Sequence, residues 1–443
     1  MKSRLAAALA IASLLGTGCA TYTDRNREAR VALQRGDLAG SEAKFNELLG
    51  VESSRDLPNK WGSETALTIL ERATVLQAQR EYRVSARDFT ASEKELEMLD
   101  LANDTAGSIG QYVYSDDATK YKTTPTEKLL LNAFNMVNYL AMGDLSGARV
   151  EARRFEVMRK YLRDWDPGES HGAFGAYLAG FVAEKMGEPD EALRYYDEVL
   201  AESSAPSLHD AIRRLALVAP YRTPRLNAVI DEGPAPASAA PPTEVLLVLK
   251  TGSSPYKEAK RIPVGLAMGI ASNYVSGDTK VLEYGALKFV SYPELVPGRQ
   301  TFAGASVRVD GASVQVDRVT DVSKEIAAEY EKVKPKIIGS ALTRLIVRAA
   351  AAEVARTAGR QQSGGLGLLA ALVVEGTMVA LDKPDTRSWT TLPARVELAR
   401  VQVPPGTREI EVELYGKTGP ARVRRQVDVP AGGFTVLDLT TLR

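Results

Sequence analysis

The stretch DEGPAPASAAPPT, Asp231 to Thr243, separates two kinds of hydrophobic pattern in this chain. Its four prolines lack the backbone donor and fix φ, so neither a helix interior nor a central strand can run through it. Before it, apolar residues recur at the three- and four-residue spacing of amphipathic helices. After it the spacing falls to two, the mark of half-buried strands. At 443 residues the chain also exceeds the roughly 250–300 at which a single core stops growing. The prediction is an α + β protein of two domains: a helical domain over 24–230, a Pro/Ala-rich linker over 231–243, and an α+β domain over 244–443.

The helical half repeats itself. Gly36-Asp37-Leu38 is followed by Ser41, Phe45 and Leu48, and Arg80-Glu81-Tyr82 by Ser85, Phe89 and Ser92. Gly143-Asp144-Leu145 is followed by Ala148, Ala152 and Phe155, and Gly187-Glu188-Pro189 by Ala192, Tyr196 and Val199. Seven positions before the turns stand Ala29, Ala73, Met136 and Gly180. Small residues let two antiparallel helices approach closely, and the aromatic fills the groove between successive hairpins. The pattern resembles the tetratricopeptide repeat. Turns at 36, 80, 143 and 187 give steps of 44, 63 and 44 residues, against about 34 in a regular array. An irregular, tetratricopeptide-like helical repeat domain with an insertion at Asn103 to Thr126, closed by a helix at Leu208 to Val218, is expected. A non-repeating helical bundle is the alternative.

Beyond the linker, EVLLVLK from Glu244, ASVQVDRV from Ala312, ARVELARVQV, REIEVELYG, ARVRRQVDV and FTVLDL read as antiparallel strands. Helices are expected at Ser323 to Val333, Ile337 to Ala358 and Leu366 to Leu381. The last is strongly apolar with one charge, Glu375; a buried core helix is favoured over insertion into a membrane. The domain reads as a sandwich-like sheet with a helical insertion.

The N-terminus differs from the rest. Lys2 and Arg4 precede an apolar run from Leu5 to Leu15, and Gly16-Thr17-Gly18 leads into Cys19, the only cysteine. A basic start, a short apolar core and small residues make a secretory signal over 1–18. The cysteine after it resembles the bacterial lipobox, which implies acylation of Cys19, a lipidated N-terminus over 19–23 and attachment to a membrane. Ala20 in the following position resembles the outer-membrane sorting preference. An ordinary secreted protein is the alternative. The 56 basic and 56 acidic groups cancel, so nothing in the charge balance favours nucleic acid.

Motifs with catalytic echoes fail on context. Ser254-Pro255-Tyr256-Lys257 with Lys417-Thr418-Gly419 mimics the order of motifs in penicillin-binding proteins, but here the serine follows a strand and the second motif tips a hairpin. Gly365-x-Gly367-x-x-Ala370 mimics a dinucleotide fingerprint, yet a helix precedes it where a strand is required. His171 and His209 have no partner at metal-ligand spacing and are expected at the surface. Arg344, Arg348, Arg356 and Arg360 read as a solvated helix face. Glu151 and Arg154 are expected to pair across one turn. No catalytic residue, metal or cofactor is expected.

Binding is the remaining reading. Phe174, Tyr177 and Phe181 share one helix face, and Asn135 and Asn138, with Asn132, lie on the first helix of the preceding hairpin. In a tetratricopeptide hairpin such helices line the concave side, so these residues are expected to contact a protein partner. YLAMGDLSGARVEARR together with DTRSWTTLPARVELARVQVPPG, Asp385 to Gly406, resembles an uncharacterised bacterial lipoprotein family. Its members pair a tetratricopeptide-like half with a β-rich C-terminal half. The resemblance implies architecture and export, and Trp389 as a domain-core anchor before the terminal strands. The function expected is a non-enzymatic outer-membrane lipoprotein that binds proteins of the cell envelope. Activation of a peptidoglycan synthase, glycan binding and a structural accessory role are alternatives.

Overall fold

The computed structural model describes residues 20–98, 120–165, 171–234, 236–277, 279, 289–360, 384–416 and 419–443, with backbone alone for 98 and 351–360. A capped turn, α1 (Tyr22–Arg25), leads into four helical hairpins. They are α2 (Arg27–Arg35) with α3 (Leu38–Leu49), α4 (Thr65–Ala78) with α5 (Tyr82–Glu95), α6 (Pro125–Ala141) with α7 (Leu145–Trp165), and α8 (Ala173–Lys185) with α9 (Pro189–Glu202). A shorter pair, α10 (His209–Leu215) and α11 (Pro224–Asp231), completes the helical part.

Each of the four hairpins turns at its expected position and by one device. The residue after the first helix is left-handed: Gly36, Arg80, Gly143 and Gly187 have φ of 80°, 68°, 73° and 75°. Its N–H reaches three residues back and the next N–H five back, as Gly36 does to Leu33 and Asp37 to Ala32. This double bond satisfies carbonyls that the helix end would orphan. The small residues before the turns bring the paired helices together. Ser85 Oγ donates to the Ala73 carbonyl at 2.8 Å, and a Cβ on Gly180 would lie 2.5 Å from the Tyr196 ring.

The strands are β1 (Glu97–Met98), β2 (Lys122–Thr123), β3 (Glu244–Thr251), β4 (Tyr256–Pro263), β5 (Phe289–Val296), β6 (Phe302–Val309), β7 (Ala312–Val314), β8 (Asp317–Thr320), β9 (Arg395–Gln402), β10 (Gly406–Gly416), β11 (Ala421–Val429) and β12 (Phe434–Thr441). One sheet has the order β12-β3-β9-β8 and a second the order β11-β10-β6-β7. Within these two sheets the neighbours are antiparallel except β12 and β3, which run parallel, as do β1 and β2 in a separate pair. The sheets face each other through Val245, Leu247 and Leu249 on one side and Val307, Ile410 and Val412 on the other.

Three layers result: helices, first sheet, second sheet. Leu246, Val248, Val396 and Leu398 of the first sheet share one core with Phe134, Phe174 and Phe181 of the helices. The linker therefore does not separate two cores. β3 is buried along its whole length, because it has helices on one face and a sheet on the other; the expected half-buried alternation does not apply to it.

A satellite unit projects from this body. The β4–β5 ribbon, α12 (Val264–Ala271) and the middle of α13 (Val322–Arg360) share a separate small core. α13 runs through Pro335 as one helix of 39 residues, where two helices were expected. The apolar segment Leu366 to Leu381 and most of the insertion at Asn103 to Thr126 lie outside the described residues. Among the described residues, no helix is long and apolar enough to cross a membrane.

Candidate functional site

The side of the hairpin stack formed by α4, α6 and α8 is occupied by the chain itself. Besides the first sheet, the segment Asp385 to Leu392 threads between α4 and α6, and its backbone amides are bonded by helix carboxylates. Glu71 accepts from Thr390 N at 2.8 Å, Thr390 Oγ1 at 2.7 Å and Thr391 N at 2.7 Å. Glu127 accepts from Trp389 N at 3.0 Å, Tyr121 Oη at 2.5 Å and Thr124 N at 3.1 Å. The Trp389 ring stands between Phe89 and Phe134, 6.0 and 5.7 Å between centroids, and its Nε1 donates to Thr74 Oγ1 at 3.0 Å. Trp389 is the expected core anchor, and Glu71 and Glu127 position it. Neither glutamate was marked by the sequence, because each looks like an ordinary helix carboxylate.

The expected partner-binding residues lie inside this contact. Phe174, Tyr177 and Phe181 are buried: Phe174 packs on Phe134, Tyr177 on Tyr196, and Phe181 edge-on to Phe434 of β12. Asn135 and Asn138 are buried too, and belong to a polar chain between helices. Asn132 and Asn135 Nδ2 donate to Glu151 at 3.0 and 3.1 Å, Asn138 Nδ2 to Ser85 Oγ at 3.0 Å, and Gln77 Nε2 to Asn138 Oδ1 at 2.7 Å. The chain passes from Gln77 to Lys250 of β3, which pairs with Asp438 at 3.1 Å. The correction is physical: packing between helices buries Asn135, Asn138, Phe174 and Tyr177, and β12 covers Phe181, so none of the five side chains is exposed to an external partner. Glu151 does pair with Arg154, at 3.1 Å, yet it is buried, and burial raises its pKa despite the nearby arginine.

Where helices and sheet meet further along, charge is concentrated. Arg400 bonds Glu244 at 2.6 and 2.8 Å and Glu184 at 2.7 Å, all three almost completely buried. Burial opposes ionisation of Glu184, but Arg400 and Lys185 hold its carboxyl well below the usual range. The network ties α8 to β3 and β9.

An open cleft adjoins the filled groove, with about 1130 Å³ of space partly open to solvent. α13, the first turn of α6, the β4–β5 ribbon and Asp385 to Trp389 form its walls. Tyr121, Ile326, Tyr330 and Trp389 make it apolar, and Lys257 and Arg387 make it basic. Lys257 Nζ donates to the Arg387 carbonyl at 3.2 Å, and Arg387 is forked onto Asp385 at 2.7 and 2.8 Å. Glu329 accepts from Thr126 N at the start of α6, 3.0 Å away, and burial pushes its pKa up.

Ser254 is buried, its N–H donates to the Leu392 carbonyl and its Oγ has no hydrogen-bond partner. Lys417, Thr418, the glycine fingerprint and Cys19 lie outside the described residues. His171 and His209 are both half-buried, and His209 Nδ1 lies 3.5 Å from Glu232. Arg344 lines the cleft, 8% exposed, and so is not part of a solvated face; the side chains of Arg356 and Arg360 lie outside the described residues. No cluster of metal ligands occurs among the described residues. The chain matches no family model, and neither curated proteins nor solved structures show a significant similarity to it.

Proposed function

We propose that this chain is a non-enzymatic lipoprotein, held at the periplasmic face of the outer membrane by an acylated Cys19, which acts as a protein-binding scaffold in the cell envelope. One observation carries the scaffold reading: Asp385 to Leu392 and the first sheet pack into the helical stack and are hydrogen-bonded to it. A stack of this kind, read as irregular tetratricopeptide-like repeats from the shared turn and the small-to-aromatic offsets, ordinarily offers its concave side to a peptide. Here the chain's own segment takes that place, so a partner meets the outer helices or the cleft. The exposed face of α7, with Val150 and Val157 at 48% and 69% exposure, is the first surface to probe.

The test is photocrosslinking in cells from a benzophenone side chain at Val157, with Tyr177 as the buried control. A discrete adduct with another envelope protein at Val157 alone supports the scaffold. Adducts from neither position remove it. Cys19→Ala is expected to release the protein from the membrane fraction, since two or more acyl chains, at about 0.8 kcal/mol per buried CH₂, suffice for stable anchoring. Wild-type protein with unmodified Cys19 in the soluble fraction would sink the lipoprotein reading.

A further inference from the structure

The helix α12 reads VGLAMGIA and carries no polar side chain. Only Ala267 and Ala271 are turned fully into the small core beneath it. On the other side Leu266 and Ile270, one turn apart, are 55% and 41% exposed. A Cβ added at Gly265 or Gly269 would meet nothing within 4 Å, so this face is open. Phe289, 56% exposed, pairs in the ribbon with Pro263, the residue before α12. Three large apolar side chains thus gather at one end of the satellite unit. Packing within the described residues does not account for them.

The same unit holds the end of the chain that leads to the lipid. Thr23 Oγ1 donates to the Lys257 carbonyl of β4 at 2.8 Å, and the Arg30 guanidinium lies 4.3 Å from the Tyr256 ring centroid. The four residues from Thr23 back to Cys19 reach at most about 14 Å. Along β4 the six steps from Lys257 to Pro263 cover about 20 Å. A bilayer that holds the anchor is therefore within reach of α12. Arg261, exposed and on the same face of the ribbon as Pro263 and Phe289, lies on the strand between the two points and suits an anionic headgroup. At about 1.5 Å per residue, the eight residues of α12 are far too short to span a hydrocarbon core of about 30 Å. They have the length to lie in its interface.

We propose that the α12 face formed by Leu266 and Ile270, with Phe289, docks into the headgroup–acyl boundary of the bilayer beside the N-terminal lipid. The lipid supplies attachment; α12 supplies orientation, setting which way the helical stack points into the periplasm. This geometry rests on the lipoprotein reading.

The test uses full-length acylated protein in phosphatidylethanolamine vesicles containing phosphatidylglycerol. Nitroxides are placed by Leu266→Cys and, as a reference on the far helical part, Val157→Cys. Acylation leaves the introduced cysteine as the only thiol. The Leu266 label is expected to become accessible to oxygen and shielded from a water-soluble nickel complex when vesicles are present, while the Val157 label stays aqueous. Equal aqueous exposure at both positions overturns the proposal. So does shielding of Leu266 before vesicles are added, which would show that a second copy or another part of the chain covers the face.

Mass spectrometry of Cys19 separates the two readings. If the cysteine is unmodified, the lipoprotein reading falls, and docking is then judged by flotation of the unacylated full chain with the same vesicles. Flotation that drops about tenfold or more in the Leu266→Glu, Ile270→Glu variant, with unchanged melting temperature, supports docking on apolar burial alone. Absence of flotation overturns it.

Discussion

Tyr177 and Glu71 are the two side chains whose roles differ most from what their sequence neighbourhoods suggest. Tyr177 sits in an aromatic stripe that reads as a binding face, but it is buried against Tyr196 and its hydroxyl meets Ser207 at 2.9 Å. Tyr177→Ala is expected to cost about 3–5 kcal/mol of stability, as for a buried aromatic, with no change of partner affinity per folded molecule. Chemical denaturation beside a binding titration checks both halves. Glu71→Ala leaves the amides of Thr390 and Thr391 buried without acceptors, a loss of about 3 kcal/mol or more at about 1–3 kcal/mol for each orphaned group. Limited proteolysis should then cut between Asp385 and Leu392 first; uncut protein of wild-type stability would refute the clamp. Glu325 and Glu202 make a pH prediction. Burial and neighbouring carboxylates push Glu325 to about 8, and burial pushes Glu202 to about 7, each from an ordinary value of 4.5. Both folded values are raised, so the folded protein binds more protons across that window. Stability is then highest at the acid end and falls as pH rises from about 4.5 to about 8. Melting temperatures across this range should decline in the wild type and decline less in Glu325→Gln.

At the scale of elements, the hairpins were legible because their turns are made locally. A left-handed residue and two backward hydrogen bonds need only the helix end itself, which is why Gly36, Gly143 and Gly187 mark them in the sequence. Arg80 takes the same conformation with a side chain, at a cost of about 1–2 kcal/mol for a left-handed L-residue. Close approach at Gly180 is testable: Gly180→Ala places a methyl 2.5 Å from the Tyr196 ring. Overpacking of this kind typically costs about 1–3 kcal/mol, and a melting curve equal to the wild type would contradict the approach. What the periodicity could not reveal is that α4, α6 and α8 are covered on nearly every side. A helix between two layers has no single apolar stripe, and its buried polar residues, such as Asn132 and Gln77, look like a solvent face. β3 misleads in the same way.

For the whole molecule, one core joins the helices to the first sheet across the proline-rich linker. Residues 20–230 expressed alone should expose the apolar sides of α4, α6 and α8 and lose Lys250 from Gln77, the Thr390 and Thr391 amides from Glu71, and Arg400 from Glu184. Size-exclusion chromatography and circular dichroism are expected to show aggregation or a non-cooperative melt, whereas the full chain should unfold in one transition. An isolated helical part that melts cooperatively near the full chain's temperature would restore the two-domain view. The cleft and the α12 face belong to this scale as well, since each is built from segments distant in sequence.

The sequence by itself determined the features that neighbours along the chain decide. These are the hairpin turns, the small-to-aromatic offsets, and the alternating strands β10 and β11. Only the tertiary structure decided what occupies the groove. Thr390 and Glu71 are 319 residues apart, and their hydrogen bond leaves no pattern in either segment. Burial inverted the meaning of Asn135, Asn138, Phe174, Tyr177 and Phe181 for the same reason. Whether an aromatic stripe or an amide faces a partner or a core depends on which layer comes to lie over it, and that is fixed by packing between distant parts of the chain.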